Sequence, residues 1–163
     1  MSIYASGAGH LIFLESQSIE EAKGYIERIS VLKEGLLAAK EGASAMHDVT
    51  EGGVLGAVWE ICEASGVGAE IYSEQIPVTQ ITMQICKHYH INPFKLISSG
   101  CMIIIIKDAA RLIELLSKEG TEAAIIGKIT EGKTRKLISK NKAIEINAPE
   151  ADELYKVISR KNK

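Results

Sequence analysis

The chain has 163 residues, 46% hydrophobic and 25% charged, with a formal net charge of -2. Roughly 100–200 residues is the usual size of one domain, and this composition excludes disordered and fibrous classes. The nearly balanced charge lacks the basic field that draws proteins to phosphate backbones or anionic membranes, so neither nucleic acid nor a membrane surface is expected as a partner.

Gly7-Ala8-Gly9-His10 precedes the apolar run Leu11-Ile12-Phe13-Leu14, which fits either a strand or the start of a buried helix. From Ser18, an N-cap candidate followed by Glu20 and Glu21, the residues Ala22, Tyr25, Ile26 and Ile29 recur at helical spacing. Val31, Leu32, Gly35, Leu36 and Ala39 predict a further helical stripe that stops at Gly42. The small, extended stretch Ala43 to Met46 reads as a strand. Val54, Leu55, Val58, Trp59, Ile61 and Cys62 then make an amphipathic helix ended by Gly66, and Val67 to Tyr72 alternates as a strand.

Pro77 suits a first helical turn, and Val78, Ile81, Ile85 and Cys86 predict a helix running towards His88, broken by Asn92-Pro93. A loop Leu96 to Gly100 feeds a buried strand from Cys101 to Lys107, and Asp108 caps a helix with Leu112, Leu115 and Leu116 on its apolar face, closed by Gly120. Ala123 to Ile129, Arg135 to Ser139 and Ala143 to Ile146 read as short strands, the last two forming a hairpin. Pro149 stands near the first turn of a final helix through Leu154, Tyr155 and Ile158. The expected fold class is α+β, a mixed sheet of about five or six strands covered by helices.

Cys62, Cys86 and Cys101 lack the even count and spacing of a secreted disulfide framework, so reduced thiols in a cytoplasm are expected. No export signal is evident, and the longest apolar run, Met102 to Ile106, is far short of the roughly 20 residues of a bilayer span. Cys86, His88 and His90 carry zinc-ligand chemistry, yet alternate positions at a helix end do not converge on one face, and no second cluster accompanies them. The basic end Arg160-Lys161-Asn162-Lys163 reads as a solvated terminus.

Chemistry concentrates in Met46-His47-Asp48-Val49-Thr50-Glu51-Gly52-Gly53-Val54, where a histidine, two acids, a hydroxyl and paired glycines lie between a strand and a helix. Helix N-termini offer N–H groups and a positive dipole end to anions, and glycines admit close approach to the backbone. The same residues also suit a plain capped helix start, with Asp48 or Thr50 as the cap. There is no following lysine as in a P-loop and no dinucleotide fingerprint. Ser98-Ser99-Gly100 reads as a tight turn whose N–H groups could form an anion nest.

The stretch Met46 to Gly53 resembles the signature of the C-terminal domain of the aminoimidazole ribonucleotide (AIR) synthetase superfamily. Ile97-Ser98-Ser99-Gly100, Ile126-Gly127-Lys128-Ile129-Thr130-Glu131-Gly132 and Asp152-Glu153-Leu154-Tyr155 follow in matching order. The resemblance covers nearly the whole chain, residues 1–163 as a single domain, and is nearest to the hydrogenase-maturation branch, whose member dehydrates a carbamoylated cysteine with ATP. Members pair an N-terminal ATP-binding domain, absent from this sequence, with a C-terminal domain of this type, and ATP and substrate lie in the cleft between.

The resemblance implies that Asp48, Thr50, Gly52 and Gly53 line that cleft, with His47 and Glu51 adjacent and Ser98, Ser99 and Gly100 on a neighbouring loop. It implies ATP and magnesium in the full-length context and no cofactor for this domain alone. The implied partners are an N-terminal ATP-binding domain in the same or another chain and a small-molecule or protein-thiol substrate, with a homodimer among the assemblies allowed. No residue of this chain is expected to be catalytic by itself, and the isolated chain is expected to be inactive. The maturation enzyme ends in a reactive cysteine, whereas this sequence ends Ser159-Arg160-Lys161-Asn162-Lys163, so that particular reaction is not expected. The alternative is a free-standing module that binds an anionic metabolite at the Thr50 to Gly53 turn without catalysis.

Overall fold

The computed structural model describes residues 29–140 and 142–158. The apolar opening at Leu11 to Leu14, the Ser18-capped helix as far as residue 28, Asn141 and the basic C-terminal end lie outside the described residues. Along the chain run α1 (Leu32–Lys40), β1 (Ala45–Asp48), α2 (Gly53–Ser65), β2 (Gly68–Tyr72), α3 (Gln80–Tyr89), β3 (Met102–Ile105), α4 (Ala109–Lys118), β4 (Gly127–Thr130), β5 (Arg135–Ser139), β6 (Lys142–Glu145) and α5 (Glu153–Ile158). Short 3-10 turns lie at Ser73–Gln75 and Pro93–Lys95.

The class is α+β, as the sequence pattern indicates, and the strands form two sheets. β1 pairs with β3 in an antiparallel ribbon, while the second sheet has the order β4-β2-β5-β6. That second sheet is mixed, because β2 runs parallel to β5 and antiparallel to β4, and β5 and β6 run antiparallel. One helix serves both sheets. Val54, Leu55, Ala57, Val58, Ile61 and Cys62 of α2 are all buried, in one cluster with Ala69, Ile71, Leu137 and Ile146. Ala45, Ile103 and Ile105 of the ribbon pack against the same cluster. Each fully buried aliphatic side chain there contributes about 1.5–3 kcal/mol, which makes α2 the central element of the domain.

Several boundaries and burial patterns differ from the sequence reading. The helix expected from Pro77 begins at Gln80, because the Thr79 side chain accepts the Thr82 N–H and caps it there. The strand expected over Ala123 to Ile129 is Gly127–Thr130. β2 ends at Tyr72, whose N–H bonds the Ile126 carbonyl at 2.8 Å, so the residues before Ile126 have no strand to pair with. The strand expected from Cys101 to Lys107 shortens to Met102–Ile105, and its residues are half-buried rather than buried. In α1 only Ala38 is buried, and the expected stripe residues Leu32 and Leu36 are exposed. The last helix starts at Glu153 rather than near Pro149, since Asp152 Oδ1 accepts the Leu154 N–H and fixes its first turn.

Candidate functional site

The β1–β3 ribbon sets the location. Its register places His47 opposite Ile103 and Asp48 opposite Met102, so the end of β1 lies beside the start of β3. The Val49 N–H donates to the Cys101 carbonyl at 2.8 Å, continuing the pairing one step. As a result the turn after Asp48 and the loop Ser98 to Gly100, far apart in sequence, are neighbours in space. Ser98 is fully buried, its hydroxyl donates to the Leu96 carbonyl at 3.3 Å, and its carbonyl accepts the Cys101 N–H at 3.1 Å. With Gly100 at a φ of 90°, this is a tight turn of type II character.

The paired glycines are both left-handed, with φ of 81° at Gly52 and 63° at Gly53. Each admits another part of the same chain. A Cβ at Gly53 would stand 2.6 Å from the Leu96 carbonyl oxygen and 2.7 Å from that of Phe94, and a Cβ at Gly52 would stand 2.9 Å from Pro149 Cβ. The Gly53 N–H bonds the Thr50 carbonyl at 3.1 Å, and the Gly52 N–H donates to Asp152 Oδ2 at 2.8 Å. The back of the turn is therefore closed by protein. No local side chain, neither Asp48 nor Thr50, caps the start of α2.

The front carries the polar side chains. Asp48, Thr50 and Glu51 are exposed, the Asp48 side chain to 63%. His47 lies between two oxygens, with Nδ1 2.6 Å from the Asp48 carbonyl and Nε2 3.1 Å from Glu60 Oε2 on α2. A neutral ring can donate to one of these, and only the doubly protonated ring donates to both. Sequence spacing singled out neither Glu60 nor Asp152 as a partner of this site. Both contacts are tertiary, and nothing local in the sequence marks them.

Other groups are chemically quieter. Burial pushes the Cys62 thiol above its ordinary range, against the lowering effect of Arg135. Burial, and then the charge of Glu153, raises Cys86 to about 11, so it stays a neutral thiol at neutral pH. Cys86 packs in a core with Ile91, Leu96 and Val157, while His88 and His90 are exposed. Among the described residues no three His, Cys, Asp or Glu side chains gather to hold a metal ion. No helix among them is long and apolar enough to cross a membrane.

A cleft of about 600 Å³ lies between the ribbon and the second sheet, with walls that include Val58, Ile71, Ile103, Ile105, Leu116 and Ile126. Of the nine candidate site residues only Gly100 reaches it. The polar constellation and the apolar cleft are thus separate features, and acid-base or anion chemistry belongs to the first.

The family model described as AIR synthase related protein, C-terminal domain, matches residues 7–140. A Methanocaldococcus jannaschii protein named provisionally for hydrogenase expression/formation is 34% identical over 110 residues, covering 65% of this chain and 31% of that one. The carbamoyl dehydratase HypE of Azotobacter vinelandii is 31% identical over 104 residues, covering 61% of this chain and 30% of that one. The chain therefore spans about a third of the length of these relatives. Among solved structures, Escherichia coli HypE, a hydrogenase maturation protein, superposes with a TM-score of 0.69 at 23% identity over 78% of this chain and 42% of that one. A HypE solved in complex with ATP superposes with a TM-score of 0.62 at 18% identity over 69% of this chain and 37% of that one.

Proposed function

The chain belongs to the AIR synthase related protein, C-terminal domain, family, and from this premise we propose that it forms one wall of a nucleotide and substrate cleft in an ATP-dependent, AIR synthetase-like protein. The single observation that carries this is the two-sided turn: behind, Gly52 closes onto the Pro149 ring and Gly53 onto the backbone of Phe94 and Leu96, and Asp48, Thr50 and Glu51 present polar groups in front. His47, Ser98, Ser99 and Gly100 flank that front. The other wall is an N-terminal ATP-binding half, in the same or a partner chain, and the isolated domain is inactive. The relatives named for hydrogenase expression and carbamoyl dehydration support hydrogenase maturation as the setting, and a relative solved with ATP supports the nucleotide.

Among the described residues no three ligating side chains gather, so a magnesium ion here would be held, as is usual for that ion, by one or two carboxylates together with nucleotide phosphates. What this wall does is position and stabilise. A turn held from behind keeps its hydroxyl and carboxylate groups fixed relative to the opposite wall, and fixed dipoles and charges are the main resource of phosphoryl-activating catalysis. The test is magnesium-dependent ATP hydrolysis by the chain combined with an N-terminal half from the family. Asp48→Ala is expected to lower the rate about tenfold or more, the usual scale for removing a fixed charge from such a site. An unchanged rate would remove Asp48 from the site. The second reading, an anion-binding module without catalysis, rests on the turn alone and predicts that phosphate shifts the Thr50 amide resonance of the isolated chain.

A further inference from the structure

Asp152 lies beyond the residues the family model matches, and its carboxylate is 2% exposed. One oxygen accepts the Gly52 N–H at 2.8 Å and the other accepts the Leu154 N–H at 2.8 Å. The first donor stands at the start of α2 and the second in the first turn of α5, so a single carboxylate caps two helices that are remote in sequence. Charge-assisted bonds of this kind are about twice as strong as neutral ones, and each helix start adds the attraction of its positive dipole end.

We propose that Asp152 is a positioning residue for the glycine turn, making the C-terminal strap, residues 146–158, and the ligand-facing shape of the turn one structural unit. This rests on the reading of the turn as a cleft wall. The strap grips the turn at both glycines. At Gly52 the grip is direct, through Asp152 and the Pro149 ring. At Gly53 it acts through residues 92–96, because Glu153 Oε2 accepts the Asn92 N–H at 3.4 Å and Val157 and Leu154 pack on Leu96, whose backbone seats Gly53. Ile146 anchors the other end of the strap in the main core, with its N–H on the Arg135 carbonyl at 2.8 Å. Since no side chain caps α2 locally, the distant carboxylate takes that place.

The experiment is amide hydrogen exchange by NMR on the full chain, in wild type, Asp152→Ala and Glu150→Gln, the last removing an exposed charge from the same strap. Asp152→Ala is expected to speed exchange at Gly52 and at Leu154 together, roughly tenfold or more, as loss of a hydrogen bond to a charged group implies, while Glu150→Gln matches wild type. Faster exchange at Leu154 with Gly52 unchanged would overturn the proposal, since Asp152 would then cap α5 alone. Should Asp152→Ala fail to fold, the wild type still decides: a scalar coupling across the hydrogen bond between the Gly52 nitrogen and the Asp152 carboxyl carbon is expected, and its absence overturns the proposal. ATP is then titrated into wild type and Asp152→Ala while the Thr50 amide shift is followed. A weaker response in Asp152→Ala separates positioning from mere stability, and an equal or stronger response overturns it. A wild type that does not respond to ATP removes the cleft reading for the isolated chain and leaves the exchange result to judge Asp152.

Discussion

The two strands of the β1–β3 ribbon each lead into a helix, and the two helix starts are built by opposite means. β3 enters α4 through Asp108, whose carboxylate accepts the Arg111 N–H at 3.1 Å, an ordinary side-chain cap on an exposed surface. β1 enters α2 through two left-handed glycines whose surroundings are the backbone of residues 94–96, Pro149 and the carboxylate of Asp152. A local cap stabilises one helix. A cap assembled from distant segments fixes those segments relative to each other, and the start of α2 is where the polar side chains gather. In the proposed function, α4 is a structural helix and the start of α2 is where geometry is held for the cleft.

The largest effect on this contrast is expected from Gly53→Ala. The new Cβ would meet the Leu96 and Phe94 carbonyl oxygens and would hold a left-handed φ. Left-handed strain of about 1–2 kcal/mol and overpacking of about 1–3 kcal/mol together predict a loss of about 2–5 kcal/mol. Denaturant unfolding measures it, and a loss well under about 1 kcal/mol would show that residues 94–96 yield easily and that the close seat is not required. Asp108→Ala is expected to cost about 1 kcal/mol, the usual value of an N-cap, with faster amide exchange confined to α4. Spread of that change into α2 would break the contrast between local and distant caps. Lys118→Ala, which removes the exposed pair with Glu114 at the far end of α4, is expected to cost only about 0.3–0.5 kcal/mol by the same unfolding measurement.

The same contrast explains what could be read from the sequence. The Asp108 cap, the amphipathic α2, β5 and the tight turn at Ser98 to Gly100 follow from short-range rules of periodicity, capping and turn chemistry, and all four are present. The turn at Gly52-Gly53 was legible as a place, from its density of polar residues and its family pattern. Its partners were not. Glu60 against His47 and Asp152 against Gly52 are contacts that only the tertiary fold creates. The division into two sheets was equally hidden, because it depends on where β2 ends and on α2 packing against both sheets rather than on any strand's own pattern.

The placement of β2 has a consequence for how the domain comes into being. Both hydrogen-bonded neighbours of β2, namely β4 and β5, are made long after it in the chain, and its bond to β5 is parallel. At roughly 5–20 residues per second of synthesis, several seconds separate the emergence of β2 from that of its partners. During that interval both edges of β2 are open templates for pairing, and α2 has been made without the second sheet that covers its apolar face. Long-range and parallel pairings also close slowly once the chain is complete. Slower or interrupted translation between β2 and β5 is therefore where this domain is most exposed to misassembly, a hazard of timing that its equilibrium stability does not reveal.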